Sequence, residues 1–305
     1  MSKRCSVFQF AVVFWAVLCL CVTANAANVL YIHGDVAADG TVPSGSAAPY
    51  DQMLLDDTGS TGLSQFRTMV QSQGHSIIQR YDRTTTLTAG LLAGYSVVIF
   101  GLHQKSWSGS ERSALDSWLR NGGGMLIYSD SASGGRFNIV GAQNTVGQTV
   151  TNNLIAPYGL QVTVDQADGV RTMPSSSSHP IVSGGLTLEG EGVSPIAVDQ
   201  SDSSANILVP YTRNVNRTEN ITITNPQWGA LVLKPIGAGH ISVMFDRQPM
   251  WNNGPGSDIN EEDNREILRR LINFLAEAPN SEPSPDGDGV GVVPSISVLL
   301  LTEDE

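Results

Sequence analysis

The sequence predicts an α/β domain of three layers, in which helices cover both faces of a mostly parallel central β-sheet. Short apolar runs alternate along the chain with segments whose apolar residues recur every three or four positions. This alternation is typical of parallel strands joined by helices. The runs are almost wholly apolar, as strands buried on both faces are. The roughly 250 residues from Asn28 to Ala278 are ample for such a core.

The strands and the helix boundaries follow from local signals. Ser108 and Glu111 form a capping box at the start of one helix, and Gly122 ends that helix. A last helix is predicted at about 260–276, because acidic residues fill its first turn and an apolar stripe follows. The main strands are predicted at Asn28–His33, Ser76–Tyr81, Ser96–Gly101, Met125–Tyr128 and Gly239–Phe245.

The region from about 170 to 240 has a different character. Short strand-like runs at Ile207–Pro210, Ile221–Thr224 and Ala230–Leu233 alternate with turns rich in Ser, Asn and Gly. We therefore expect a β-rich insertion here, or an added edge of the sheet.

The amino terminus has the three parts of a secretory signal. Lys3 and Arg4 precede the apolar run Phe10–Val22, which is too short to span a bilayer as a helix. Ala24-Asn25-Ala26 then provides a small-x-small cleavage site. We expect cleavage after residue 26, export to the periplasm or the extracellular space, and no stable membrane span afterwards.

The chain after the signal divides into a domain and a tail. Residues 27–278 form the predicted α/β domain, and residues 279–305 are dominated at first by Pro, Ser, Asp and Gly. Such composition is typical of linkers, so we expect a mostly disordered tail.

Cysteine and charge exclude several classes of function. The three cysteines, Cys5, Cys19 and Cys21, all lie within the predicted signal, so the mature chain has no disulfide, thiolate metal site or cysteine nucleophile. Removal of Lys3 and Arg4 leaves 15 basic against 29 acidic residues, a formal charge of −14. This balance argues against nucleic acid as the main partner.

Candidate site residues stand where predicted strands end. Ligands of open parallel sheets bind beyond the carboxyl ends of the strands. Each residue also has a structural alternative, for example a turn cap for Asp35, a satisfied loop histidine for His103, and a helix cap for Ser129. The candidates at these strand ends are Asp35, His103, Ser129, Asp130, Asp246 and Arg247.

A hydrolase can be assembled from the same set. Ser129, with His103 as base and Asp130 or Asp246 as the third member, gives the residue types of a catalytic triad. The glycines that flank Ser in a Gly-x-Ser-x-Gly elbow are absent.

The loop that follows the strand ending at Phe245 is rich in Gly and Pro and carries Trp251 and Asn252. Aromatic stacking beside polar groups suits sugar or peptide binding, and a structural loop pinned by a buried Trp251 is the alternative. Asp258, Asn260 and Glu262 have the oxygen ligands of a calcium site, but their spacing matches no known calcium loop and helix capping explains them as well. No cofactor and no metal is predicted.

Several stretches resemble the class I glutamine amidotransferase-like superfamily, which has a flavodoxin-like fold. Asn28–Asp35, Tyr95–Gly101 and Ser110–Tyr128 carry the resemblance, the last through Gly122-Gly123-Gly124 before a buried strand. The triple glycine and the turn His179–Gly184 are similar to ThuA-like proteins and exported domains of unknown function. The resemblance covers about 28–276 and implies the same three-layer fold.

The catalytic residues of that superfamily do not carry over. The resemblance places its cysteine nucleophile at Ser129-Asp130 and its catalytic histidine at Asp246-Arg247. Amidotransferase activity is therefore not expected. Three hypotheses remain: a module that binds a carbohydrate or cell-envelope component in the cleft, a hydrolase, and a scaffold with a relic site.

Overall fold

The computed structural model describes residues 26–34, 53–101, 103, 105–128, 145–164, 166 and 169–277, with only the backbone for 145–147. The predicted tail and all but the last residue of the predicted signal lie outside these ranges. The strands are β1 Asn28–His33, β2 Ser76–Tyr81, β3 Val97–Gly101, β4 Gly124–Tyr128, β5 Leu160–Val162, β6 Arg171–Pro174, β7 Thr187–Gly190, β8 Ile196–Asp199, β9 Asn206–Pro210, β10 Pro226–Ile236 and β11 Gly239–Met244. The helices are α1 Ser64–Ser72, α2 Ala89–Leu92, α3 Gly109–Arg120, α4 Thr145–Ile155 and α5 Asn264–Ala276, with 3₁₀ turns at Ala156–Tyr158 and Gln248–Met250.

Most of the described strands form one mixed sheet. Its order is β2-β1-β3-β4-β11-β10-β8-β5, with β9 also paired to β10. The pairs from β2 to β11 are parallel and the pairs made by β10 and β8 are antiparallel. Consequently β10 and β5 run against the direction of the other strands. The expected α/β fold with a large, mostly parallel sheet is confirmed.

Helices lie on both faces of this sheet. The chain moves from β1 to β2 through α1 in one direction, and from β3 to β4 through α3 in the other. Because parallel crossovers are right-handed, opposite directions place the two helices on opposite faces. Helix α5 packs on α1, and α2 packs on α3, which completes the two outer layers. None of the described helices is long and apolar enough to cross a membrane.

The helix signals read from the sequence are present. The Ser108 hydroxyl accepts from the Glu111 amide at 3.3 Å, and the Glu111 carboxylate accepts from the Ser108 amide at 2.9 Å. In α5 the predicted stripe faces the core, since Ile267, Leu268, Leu271, Ile272 and Leu275 are all buried.

The predicted β-rich insertion is only partly a separate unit. Strands β8, β9 and β10 extend the central sheet, whereas β6 and β7 pair with each other alone. The strand predicted at Ala230–Leu233 is the middle of the longer β10. The strand predicted at Ile221–Thr224 is wrong: this segment is irregular. A side chain replaces a partner strand here: Gln161 Oε1 accepts hydrogen bonds from the backbone amides of Thr222 and Ile223 at 2.8 and 3.2 Å.

Candidate functional site

The direction of strand succession reverses between β1 and β3, and this reversal defines a crevice at their carboxyl ends. Open α/β sheets bind ligands at such a switch point. The two strands stay paired one residue past β1, because the Gly34 amide donates to the Gly101 carbonyl at 3.2 Å. The candidate site therefore starts immediately beyond Gly34 and Gly101.

Two buried tyrosines form the floor beneath this point. The hydroxyl groups of Tyr31 and Tyr128 are 3.0 Å apart, and the Tyr31 hydroxyl donates to the Met53 carbonyl at 3.0 Å. Since Tyr31 uses its only proton there, a proton shared between the two hydroxyl groups comes from Tyr128, whose hydroxyl also lies 3.9 Å from Met53 Sδ. A Cβ on Gly101 would lie 2.2 Å from Tyr128 Oη, so only glycine leaves room for the pair. These tyrosines were not predicted as site residues. A hydroxyl group within an otherwise aliphatic strand was the feature of the sequence that could have indicated them.

His103 lies just past β3 and is buried, with its ring centroid 5.3 Å from that of Phe100. Burial lowers its pKa to about 4, and a hydrogen bond with the Val150 backbone opposes this shift. A bond that raises the pKa of a histidine is donated by the ring. Because Nε2 is buried and has no hydrogen-bond partner in the described part of the chain, the bonded atom is Nδ1. His103 is therefore neutral at pH 7, and its Nε2 is an unused acceptor.

Trp107 also packs on Phe100. The ring centroids of Trp107 and Phe100 are 5.7 Å apart, and the Lys105 ammonium lies 4.5 Å from the Trp107 ring centroid. The indole Nε1 is buried and has no hydrogen-bond partner among the described residues. The sequence analysis also missed Trp107. An apolar residue just before a helix cap usually packs on the fourth helical residue, but here that residue is the exposed Arg112.

Asp246 follows β11 and is buried, with both carboxylate oxygens engaged. Its Oδ2 accepts from the Glu191 amide at 2.8 Å, and its Oδ1 accepts from the Arg247 amide at 2.7 Å. A Cβ on Gly190 would lie 2.7 Å from Oδ2, so the carboxylate fits closely against the end of β7. Through these contacts Asp246 holds the loop after β11 against the end of β7, which is a structural role.

Arg247 and Trp251 stack within the same loop. The Arg247 guanidinium carbon lies 5.0 Å from the Trp251 ring centroid, and both side chains are buried. Such a cation–π contact is favourable, and more so when it is shielded from water. The Trp251 indole Nε1 is buried and has no hydrogen-bond partner within the described residues, so this loop also contains an unused donor.

Asn252 joins the loop after β11 to the start of α1. Its Oδ1 accepts from the Gln65 amide at 2.8 Å and from the Ser64 hydroxyl at 3.3 Å. Its Nδ2 donates to the carbonyls of Asp57 and Gly59 at 2.9 and 2.8 Å. Helix α1 has no side-chain cap of its own, and Asn252 supplies one from far along the chain.

The predicted set thus divides into three groups. Asp246, Arg247, Trp251 and Asn252 share the loop after β11. His103 belongs to a cluster with Phe100 and Trp107, the aromatic cluster at the end of β3. Asp35, Ser129 and Asp130 lie outside the described residues. Within the described residues, no group of three His, Cys, Asp or Glu side chains is arranged to hold a metal ion.

A buried carboxylate on β7 is sensitive to pH. Burial raises the pKa of Glu189, and the nearby charges of Glu261 and Glu262 raise it further. Hydrogen bonds from Thr172 and Ser257 oppose the shift. An acid whose pKa is raised by folding is held more tightly protonated in the native state, so its contribution to stability declines as pH rises through and above the ordinary carboxyl range.

We expect Glu189→Gln to increase the free energy of unfolding at pH 7 and to change it little at pH 4. The amide removes the buried charge while it still accepts from Thr172. Urea unfolding at both pH values measures the effect, with the exposed Glu219→Gln as control. An equal change at both pH values would contradict this assignment.

Comparisons with known proteins support the fold. No protein-family model matches the chain, and no curated protein sequence matches it. Among solved structures, one described as "mmIFT52 N-terminal domain" is similar with a TM-score of 0.52 and 15% identity, over 81% of this chain and 96% of the other. A putative ThuA-like protein from Bacteroides uniformis ATCC 8492 aligns at a TM-score of 0.46 and 10% identity, over 83% of this chain and 94% of the other. At such identities, the likeness to the first structure shows the fold alone.

Proposed function

We propose that this protein is an exported, non-catalytic member of the class I glutamine amidotransferase-like superfamily, close to its ThuA-like branch. We propose further that it binds a carbohydrate or a cell-envelope component at the carboxyl ends of β1 and β3. The observation that carries the proposal is the pair of unused polar atoms in the aromatic cluster, His103 Nε2 and Trp107 Nε1.

The two atoms match the chemistry of a hydroxyl group. A buried polar group without a partner costs about 1–3 kcal/mol. His103 Nε2 is an acceptor and Trp107 Nε1 is a donor, so one sugar hydroxyl can donate to the first and another can accept from the second. The ring of Trp107 adds a face on which a sugar can stack. Binding would therefore recover free energy that the unliganded protein lacks.

The absence of catalysis is supported by the protonation states and contacts of the candidate residues. His103 has a pKa of about 4 and is a weak base at neutral pH. The Asp246 carboxylate is held by the amides of Glu191 and Arg247. No cysteine follows residue 21, so a thioester route has no nucleophile.

Thermal unfolding of the mature chain in the presence of oligosaccharides, soluble peptidoglycan fragments, Ca²⁺ and Zn²⁺ tests the proposal. A ligand at 100 times its Kd stabilises the native state by about 2.7 kcal/mol. For about 250 residues, this raises Tm by about 5–10 °C. Both polar atoms are shielded from solvent, so binding must open the cluster, and we expect slow association.

Paired tryptophan variants separate a binding role from a structural one. Trp107→Phe keeps the ring and removes the unused N–H, so we expect the unliganded Tm to hold or rise and the ligand shift to vanish. Trp118 donates its N–H to the Tyr95 carbonyl at the opposite end of the sheet. For Trp118→Phe we expect the reverse, a lower unliganded Tm with the ligand shift retained.

Two outcomes favour the other hypotheses. If the mature chain cleaves an oligosaccharide or ester and Ser129→Ala abolishes cleavage, the protein is a hydrolase. If none of these ligands shifts Tm, the binding proposal fails and the scaffold hypothesis stands.

A further inference from the structure

Within the described residues, strand β2 has a neighbour on one side alone and forms an edge of the central sheet. Strand β2 pairs with β1 in an unbroken register from Ser76 to Tyr81. Within the described residues, the backbone of Ile77–Arg80 makes no hydrogen bond other than those to β1. Ile78 and Tyr81 are 43% and 40% exposed, and no proline or bulge interrupts the strand. An edge with these properties is a template for another strand.

The opposite edge of the sheet is closed by side chains. The Val162 amide in β5 donates to Asn152 Oδ1 at 2.7 Å. The Val162 carbonyl accepts from Asn152 Nδ2 and Gln148 Nε2, both at 3.1 Å. Side chains of α4 therefore use the hydrogen-bonding groups of Val162 at the β5 edge, whereas the outer groups of β2 stay available to another strand.

We propose that residues 295–301 of this chain, Ser-Ile-Ser-Val-Leu-Leu-Leu, add to β2 as a parallel edge strand. This segment lies outside the described residues, and for these seven residues the proposal replaces the expectation of a mostly disordered tail. Its β-branched residues Ile296 and Val298 favour a strand, and Pro294 stands just before it, where proline is tolerated. The inference does not depend on the proposed ligand.

The course of α5 brings the chain to the end of the sheet where β2 begins. At the start of α5, Arg265 donates to Gln65 near the carboxyl ends of the strands, at 2.7 Å. Near its end, Asn273 Oδ1 lies 2.9 Å from Nε2 of His75, the residue before β2, and Leu275 lies against Gly124 at the start of β4. The chain therefore leaves α5 at the amino ends of the parallel strands, so the start of β2 is the nearer end for an added strand, which favours a parallel course. The linker 277–294 can span up to about 60 Å, which is enough to reach β2.

Charge favours the same direction. The residues after the segment are Thr302-Glu303-Asp304-Glu305, an acidic run. Parallel addition places this run at the carboxyl end of β2, where Arg80 is exposed. Antiparallel addition would place it at the amino end of β2, on the side of the sheet where α5 ends at Glu277, and like charges repel. A linker of this length also gives a segment of the same chain a millimolar effective concentration, which favours it over a second copy.

Hydrogen exchange on the complete mature chain tests the proposal. We expect the amides of Ile77–Arg80 that do not bond β1 to exchange at least tenfold more slowly than amides of exposed loops. Val298→Pro removes a donor from the middle of the added strand and should abolish this protection. Val290→Pro, the same change outside the strand, should leave it intact. Equal behaviour of the two variants, or no protection in the parent chain, would overturn the proposal.

Charge reversal and dilution test the direction and the occupant. Arg80→Glu should reduce the protection of β2, whereas Arg213→Glu, on the exposed segment before β10, should not. The protection should not depend on protein concentration. If it appears only as the protein dimerises, the occupant is a second copy, and the intramolecular strand is rejected.

Discussion

Replacing Asn252 with alanine is expected to lower the free energy of unfolding by about 2–3 kcal/mol. The side chain is buried and makes four hydrogen bonds, two as acceptor and two as donor. Its removal takes the side-chain cap from the Gln65 amide, whereas the carbonyls of Asp57 and Gly59 keep the amides of Ser64 and Gly62 as donors. A lost cap costs about 0.5–2 kcal/mol, and each of the two lost bonds to a carbonyl costs about 0.5–1.5 kcal/mol.

Urea unfolding followed by circular dichroism measures this change, and the neighbouring Asn253→Ala is the matched control. Asn253 has the same side chain one position later but is exposed, so we expect a change within about 0.5 kcal/mol. If the two variants are equally stable, the four contacts of Asn252 do not hold the loop to α1.

The role of Asn252 shows what the sequence could not predict. The residue was expected in a ligand-binding loop, and that expectation remains a prediction. Its hydrogen-bond partners lie 187 to 195 positions away along the chain. A cap supplied from such a distance has no local signature, whereas the Ser108 capping box lies within four residues and was recognised.

The same difference between local and long-range signals explains which strands could be predicted from the sequence. Strands β1, β3, β4 and β11 were predicted because each is a short apolar run between breakers, and burial on both faces leaves that mark on the sequence. The antiparallel half of the sheet was not resolved, since pairing between β10 and its three neighbours depends on distant partners. Ile221–Thr224 has strand-like residues, but the side chain of Gln161 captures its amides.

The sequence predicted where the candidate site lies better than it predicted which residues form the site. The rule that ligands bind beyond strand ends pointed to the end of β3, where His103 lies. The unused atoms of His103 and Trp107 became apparent only once the partners of every buried polar atom were known, because satisfaction depends on three-dimensional packing. The sequence analysis identified the first residue and missed the second.

Gly124→Ala is expected to lower the free energy of unfolding by about 3 kcal/mol. The triple glycine Gly122-Gly123-Gly124 supported the resemblance to a known superfamily, and the structure gives its physical reason. A Cβ on Gly124 would lie 2.3 Å from the Leu275 carbonyl oxygen in α5. This obstacle is backbone, so a whole turn of α5 or the start of β4 must shift, and overpacking of this kind typically costs about 1–3 kcal/mol or more.

Gly109→Ala provides a control with the opposite sign. Gly109 opens α3, and a Cβ there meets nothing within 4 Å. Alanine reduces the conformational freedom of the unfolded chain, so we expect a gain of about 0.5–1 kcal/mol. In thermal unfolding, Gly124→Ala should lower Tm by about 6–12 °C while Gly109→Ala raises it slightly. Equal Tm values would mean that α5 does not rest on the start of β4. The close approach of Gly124 to α5 would then need another explanation.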